Sequence, residues 1–203
     1  MTLALNLGQR GQGNVWPNPA VGCVIVNNSR IVGRGWTQPG GRPHAEAMAL
    51  GQAGAQSKNA TAYVTLEPCA HHGATSPCAE AFIAAGISRC VVAVIDPDPR
   101  VSGAGIAEME AAGIQVSHGC MTEQATAAHR GFFNRVVKGR PRVTLKLAMS
   151  VDGRIATQAG ESKWITGMEA RRDVHSLRAC HDAVLVGSGT VRADDPSLTA
   201  RGL

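Results

Sequence analysis

A histidine, two cysteines and a carboxylate stand at spacings that could build a water-activating metal site. His44-Ala45-Glu46 comes first. Cys69 follows 25 residues later, and Cys78 after it, with eight residues between the two cysteines. One imidazole nitrogen and two thiolates leave the fourth position of a tetrahedral zinc open to solvent. Two residues apart at a helix start, His44 and Glu46 project differently, so the histidine can hold metal while the glutamate handles protons on the water. Taken singly these features mean less. An isolated His-x-Glu is commonly a solvated helix face, and two cysteines nine apart suit buried thiols or a structural zinc lacking a ligand. Their joint occurrence is rarer. Each half has a proline junction (Pro43-His44, Pro68-Cys69, Pro77-Cys78) and each runs into helix-forming sequence, Ala45–Leu50 and Ala79–Ile83.

The elements that must position these groups alternate between strand and helix. Thr2–Arg10 reads as a short amphipathic helix, and Pro17-Asn18-Pro19 as a rigid turn. Val21–Val26 is an apolar run suited to a strand buried on both faces, with Ile31–Trp36 as its hairpin partner. His44 then enters a helix that ends near Gly51 or Gly54. Ala62–Leu66 is the next strand and delivers Cys69 at its C-terminal end, where open α/β sheets build their sites. Pro77 opens a helix with Cys78 at its N-terminus, whose dipole favours a thiolate. Val91–Ile95 is a strand, followed by the turn-rich Asp96-Pro97-Asp98-Pro99, a helix near Ile106–Ala112 and a strand at Ile114–Val116. The expectation is a three-layer α/β/α domain over 1–118, a connecting helix or linker over 119–139, and a second unit over 140–203. That unit should carry strands at Val143–Ala148, Arg154–Ala156 and Asp182–Val186, with a helix over Arg171–Cys180. Gly187-Ser188-Gly189 suits either a phosphate's approach to backbone N–H groups or an ordinary tight turn.

The chain has 203 residues, 44% of them hydrophobic and 17% charged, as in a globular protein rather than a disordered one. The net charge is +5, made of ten Lys and Arg against eight Asp and Glu over residues 1–139 and ten against seven over residues 140–203. That charge is too dispersed for a nucleic-acid footprint, and seven aromatic residues supply few stacking platforms. Small phosphorylated ligands suit it better. No apolar run reaches the roughly 18 residues of a membrane span, and Met1–Asn6 lacks a signal-peptide pattern. With two of six cysteines assigned to metal, a reduced, cytoplasmic protein is expected. A homo-oligomer is compatible with all of this and specified by none of it.

His-x-Glu followed by Pro-Cys-x-x-Cys is the pattern of zinc-dependent nucleobase deaminases, here with a longer insert between the cysteines. Pro17-Asn18-Pro19-x-Val21-Gly22, His44-Ala45-Glu46, Thr65–Cys69 with His71-His72-Gly73, and Asp96–Pro99 resemble the bifunctional riboflavin-biosynthesis deaminase/reductases. So do Leu145–Ala148, Ser150–Arg154, Ser162–Thr166 and Ala193–Pro196 in the second half. The resemblance covers nearly the whole chain. It implies a cytidine-deaminase-like domain followed by the start of a dihydrofolate-reductase-like α/β domain that uses NADPH and continues beyond residue 203. It implies His44, Cys69 and Cys78 as zinc ligands, Glu46 as proton shuttle and Asn18 as a substrate contact. In the second half it implies NADP contacts at Ala148, Trp164, Thr190 and Asp194, and substrate contacts at Ser162, Arg178, Leu198 and Arg201. Arg178 and Arg201 also suit a phosphate by their own chemistry, since guanidinium pairs it bidentately. The implied substrate is a small phosphorylated pyrimidine, deaminated by zinc and then reduced in its ribosyl chain. Three positions depart from many relatives: Ala74, where they carry a Lys or Arg that helps hold phosphate, Ser76 for Pro, and Asp98 for Asn. Cytidylate or tRNA-adenosine deamination, and a non-catalytic zinc module, are the rival readings. The long insert and second domain argue against the first two, and Glu46 against the third.

Overall fold

In the computed structural model of the chain, residues 1–73 and 76–202 are described. They form two compact units, Met1–Arg142 and Val143–Leu203. The departure at Ala74 lies outside the described residues.

The first unit is built on five strands: β1 (Gly22–Asn27), β2 (Arg30–Trp36), β3 (Thr61–Val64), β4 (Arg89–Val92) and β5 (Gln115–His118). Their order is β2-β1-β3-β4-β5. β1 runs antiparallel to β2 and to β3, whereas β3, β4 and β5 are parallel. The helices are α1 (Thr2–Gln9), α2 (Ala45–Ala53), α3 (Cys78–Ala84), α4 (Ala104–Ala111), α5 (Thr122–Ala128) and α6 (Arg130–Lys138). Alternation along β1 sorts them into layers, because successive side chains leave opposite faces of a sheet. Cys23 and Ile25 join Ala45, Ala49, Ala53, Phe82 and Met109 beneath α2, α3 and α4. Val24 packs with Ala4 and Leu7 of α1 on the other face. This is the expected three-layer α/β/α arrangement. The stretch expected as one connecting helix forms α5 and α6, which meet at His129. No described helix is long and apolar enough to cross a membrane.

Close packing of α2 on β2 sets the height of the His44-Ala45-Glu46 turn. A Cβ on Gly35 would lie 2.0 Å from the Ala45 carbonyl oxygen, and one on Gly33 2.2 Å from that of Ala49. Only glycine lets the helix approach so closely, and any side chain there would lift α2 with its site residues.

Glu67 fixes the opposite side of the site. Its buried carboxylate accepts N–H bonds from Asp96 (3.2 Å), Gly103 (3.0 Å), Gly105 (3.1 Å) and Ile106 (3.4 Å). One side chain therefore ties the end of β3 to the loop after β4 and to the start of α4. Removing a buried charged acceptor strands its donors, so Glu67→Ala is expected to cost about 3 kcal/mol or more. Urea unfolding measures this, and a loss below about 1 kcal/mol would mean that water satisfies the donors instead.

His129 caps the start of α6 and is only 2% exposed. Its Nε2 lies 3.2 Å from the Thr65 hydroxyl oxygen, which accepts an N–H bond from Gly22. Burial pulls the imidazole down from 6.5 to about 4. The folded state thus prefers neutral His129, while the unfolded chain takes up a proton near 6.5. The resulting stability is complete above 6.5 and is lost as pH falls towards 4, about 3 kcal/mol in all. Asp96, pushed up by burial to about 6, works in the opposite direction and flattens the wild-type profile. Comparison with His129→Gln cancels that contribution. With both proteins stripped of metal, the wild-type advantage should shrink by about 3 kcal/mol between pH 7 and 4; a constant gap would contradict it.

The second unit differs from expectation. It contains the helices α7 (Met168–Ala179) and α8 (Ser188–Asp194), and no strand among its described residues. The segments 143–148, 154–156 and 182–186 were expected as strands and run unpaired. A strand exists only when a neighbour takes up its N–H and C=O groups, and none of these three pairs with another. Gly187 is the residue before α8 and Gly189 lies in its first turn, so the glycine pair opens that helix rather than following a strand.

Candidate active site and metal centre

Three elements bring the metal donors together. His44 is the residue immediately before α2, in extended conformation. Cys78 is the first residue of α3, and Cys69 lies on the loop after β3. His44 Nδ1 is 3.4 Å from Cys78 Sγ and 3.8 Å from Cys69 Sγ, and all three donor atoms lie within 4.8 Å of one another. A tetrahedral zinc with ordinary Zn–N and Zn–S bonds has N···S edges of about 3.6 Å. The donor set therefore fits zinc in both chemistry and spacing.

The charges suit it too. The Cys78 backbone N–H points at Cys69 Sγ from 3.4 Å. Hydrogen bonds from the Cys78 thiol, His44 and that N–H hold the Cys69 thiol down near 4. Cys78 is pushed up, first because it shares its proton with Cys69 and then by burial. His44 is raised chiefly by its bond to Cys69. These shifts favour the thiolate form of Cys69, the form that binds a divalent cation.

Glu46 is buried one helical step beyond His44. Burial pushes its carboxyl from 4.5 to about 7, against the pull of the His44 charge. It lines a cavity of about 370 Å³ together with His44, Cys69, Asn18, Asp96 and His71. Asn18 donates to the Gly41 carbonyl at 2.7 Å, which ties the Pro17–Pro19 turn to the loop entering His44. Asp98, whose carboxylate Arg100 holds down to about 2, lies on the same wall. The arrangement can polarise a water, relay its proton through a carboxyl poised near neutrality, and exclude bulk solvent around a small planar ring.

The eight expected residues of the second unit do not form a comparable site. Arg178 reaches the carbonyls of Ser197 and Thr199, and Arg201 reaches the Ser197 hydroxyl, so these two converge on the segment 197–199. Leu198 lies within that segment. Asp194 sits 3.9 Å from Lys163, next to Trp164, whose ring stacks under Arg171 at 4.3 Å. Thr190 lies within α8, and Ala148 and Ser162 stand on unpaired chain. A cavity in this unit, lined by residues such as Ser150, Arg154 and Glu161, includes none of the eight.

Sequence reading missed the contribution of α6. Phe132 and Arg135 line the catalytic cavity, although their segment reads as a linker. The apolar residues Phe132, Phe133 and Val136, at helical spacing, were the available signal of a docked face.

Residues 1–94 match the family described as the cytidine and deoxycytidylate deaminase zinc-binding region, and residues 141–203 match the RibD C-terminal domain. The riboflavin biosynthesis protein RibD of Escherichia coli (strain K12) is 54% identical over 201 residues, which is 99% of this chain and 55% of that protein. The crystal structure of a diaminohydroxyphosphoribosylaminopyrimidine deaminase/5-amino-6-(5-phosphoribosylamino)uracil reductase from Thermotoga maritima superposes with a TM-score of 0.93 at 43% identity. That match covers 100% of this chain and 58% of the other. For Acinetobacter baumannii RibD the values are 0.91 and 49%, over 100% and 57%. The chain thus spans a little over half the length of these relatives.

Proposed function

The chain belongs to the RibD-type family of riboflavin-biosynthesis proteins, and from that premise we propose that its first unit is a zinc-dependent hydrolytic deaminase. The substrate would be 2,5-diamino-6-ribosylamino-4(3H)-pyrimidinone 5′-phosphate, losing its 2-amino group. One observation carries the reading: the donor atoms of His44, Cys69 and Cys78 stand at ligand spacing, with buried Glu46 in the same cavity.

His44, Cys69 and Cys78 would hold the zinc, which would supply a water of pKa lowered towards neutrality. Glu46 takes a proton from the attacking water. As the C–O bond forms at the amidine carbon and its C–N bond breaks, Glu46 returns that proton to the leaving nitrogen. One water is consumed and one ammonia released. A carboxyl near 7 is matched to both halves of this relay. Asn18 and Phe132 bound the space in which the ring is oriented.

The segment from residue 140 onward is assigned to an NADPH-dependent reductase domain that acts next, converting the ribosyl chain to ribityl. In that domain Ala148, Trp164, Thr190 and Asp194 would face NADP, and Ser162, Arg178, Leu198 and Arg201 the substrate. All six cysteines are free, which suits a cytoplasmic setting.

The test supplies zinc-loaded chain with the phosphorylated diaminopyrimidine and follows ammonia release. Cys69→Ser is expected to lose both metal and turnover. A wild-type chain that deaminates deoxycytidylate and leaves the ribosylamino-pyrimidinone untouched would overturn the assignment.

A further inference from the structure

We infer that Arg135, on α6, recognises the phosphate of the deaminase substrate and so sets the enzyme's preference for a phosphorylated pyrimidine. The inference rests on the deaminase reading above and adds to it a residue outside the metal constellation. Three arginines line the catalytic cavity, Arg42, Arg100 and Arg135, and their surroundings separate them.

Arg100 is already matched. Its Nε lies 3.0 and 3.1 Å from the two Asp98 carboxylate oxygens, and its Nη2 donates to Asp98 as well. A phosphate there would have to displace a forked ion pair. Arg42 stands two residues before His44, and its charge is felt at that imidazole. It belongs to the end of the cavity where the reacting ring must sit. Arg135 has neither tie. Among the described residues no carboxylate lies within ion-pair distance of it. Its contacts are the Pro17 carbonyl, to which Nη2 donates at 2.6 Å, and the Phe132 ring, 5.3 Å from the guanidinium carbon. A guanidinium carries five N–H donors, so a carbonyl and a ring face hold its plane while most of the fork stays available. That suits a doubly charged phosphate oxygen set, which a fork pairs bidentately.

The fork is also held in place from behind. His129 is buried at the start of α6 and meets the Thr65 hydroxyl at 3.2 Å, and Thr65 lies four residues before Cys69. Phe132 and Phe133 pack on the core. The cation is therefore referenced to the same strand end that carries a metal ligand, so ring and phosphate can be gripped at a set separation. A cavity of about 370 Å³ is within the range that encloses a small ligand.

The competing role for Arg135 is purely to brace the Pro17–Pro19 turn, and substrate chemistry separates the two. Zinc-loaded full chain, wild type and Arg135→Gln, is assayed with the phosphorylated pyrimidine and with the same riboside lacking phosphate. Ribose 5-phosphate binding is measured by calorimetry, without turnover. Loss of a charge-assisted pair should raise KM for the phosphorylated substrate roughly 10- to 100-fold, leave kcat within about twofold, and spare the riboside. Ribose 5-phosphate should weaken to the same extent. Equal losses on both substrates, or an unchanged KM, would overturn the inference. If the wild type fails to deaminate yet binds ribose 5-phosphate through Arg135, the deaminase reading falls and the anion site stands. If turnover is sound and ribose 5-phosphate ignores the substitution, the anion site falls alone. Zinc content checks folding. Should Arg135→Gln lower it, Arg135→Lys keeps the charge without the fork and is expected to cost roughly 3- to 10-fold in the same KM; no loss there would also overturn the inference.

Discussion

Glu46→Gln is expected to bind zinc as the wild type does and to lose about 10²- to 10⁴-fold in kcat. The two halves of that result have separate causes. Metal retention follows from the donor set, because His44 Nδ1, Cys69 Sγ and Cys78 Sγ complete their spacing without any oxygen of Glu46. Loss of turnover follows from chemistry, because an amide cannot accept the water proton or return it to the leaving nitrogen. Fold should survive as well. Glutamine has nearly the same shape, and a neutral amide needs less compensation at a buried position than a carboxylate does. Metal analysis beside steady-state kinetics checks both halves. Full activity in Glu46→Gln would remove the carboxylate from the mechanism, and loss of zinc would make Glu46 part of the metal's support.

How much of this was legible beforehand varies with the range of the interactions involved. His44-Ala45-Glu46 and the two Pro-Cys junctions are local signals. A proline before a helix start sets the backbone of the residue beside it, so the placement of His44 before α2 and Cys78 at the start of α3 could be read directly. The apolar run of β1 announced burial on both faces, and Cys23 and Ile25 on one face and Val24 on the other are all buried. Glu67 is the opposite case. It stands two residues from Cys69 and looks as reactive as Glu46, yet four backbone N–H groups from residues 96–106 occupy it. Nothing local distinguishes a carboxylate that relays protons from one that ties loops, because the difference lies in donors some 30 to 40 residues away. Arg135 was invisible for the same reason: the Pro17 carbonyl to which it donates lies 118 residues earlier in the chain. In the second unit the strands expected at 143–148, 154–156 and 182–186 did not form. Pairing is not a property of one segment, and there the patterns found no partners.

The largest effect is expected in that second unit: the 203-residue chain should deaminate its substrate and show no NADPH-dependent reduction above background. Among the described residues from 143 onward none is buried. Val143 is 82% exposed, Leu145 78% and Leu185 95%, the very side chains that alternate along the segments expected to form strands. Apolar alternation of this kind belongs against a sheet neighbour and a helix, and exposed here it contributes nothing to a core. A cofactor site asks more than a core does. Ala148, Trp164, Thr190 and Asp194 would have to meet around one NADP, and among the described residues no strand end sets their relative positions. The first unit shares none of this weakness: its sheet is paired throughout, Phe82, Ile25 and Leu66 are fully buried, and its metal donors are assembled within it. The measurement supplies the deaminated product and NADPH and follows absorbance of the reduced nicotinamide, with ammonia release from the deaminase substrate as the positive control. Steady oxidation coupled to a ribityl product would show that residues 143–203 assemble a working site on their own, against the exposure of Val143, Leu145 and Leu185.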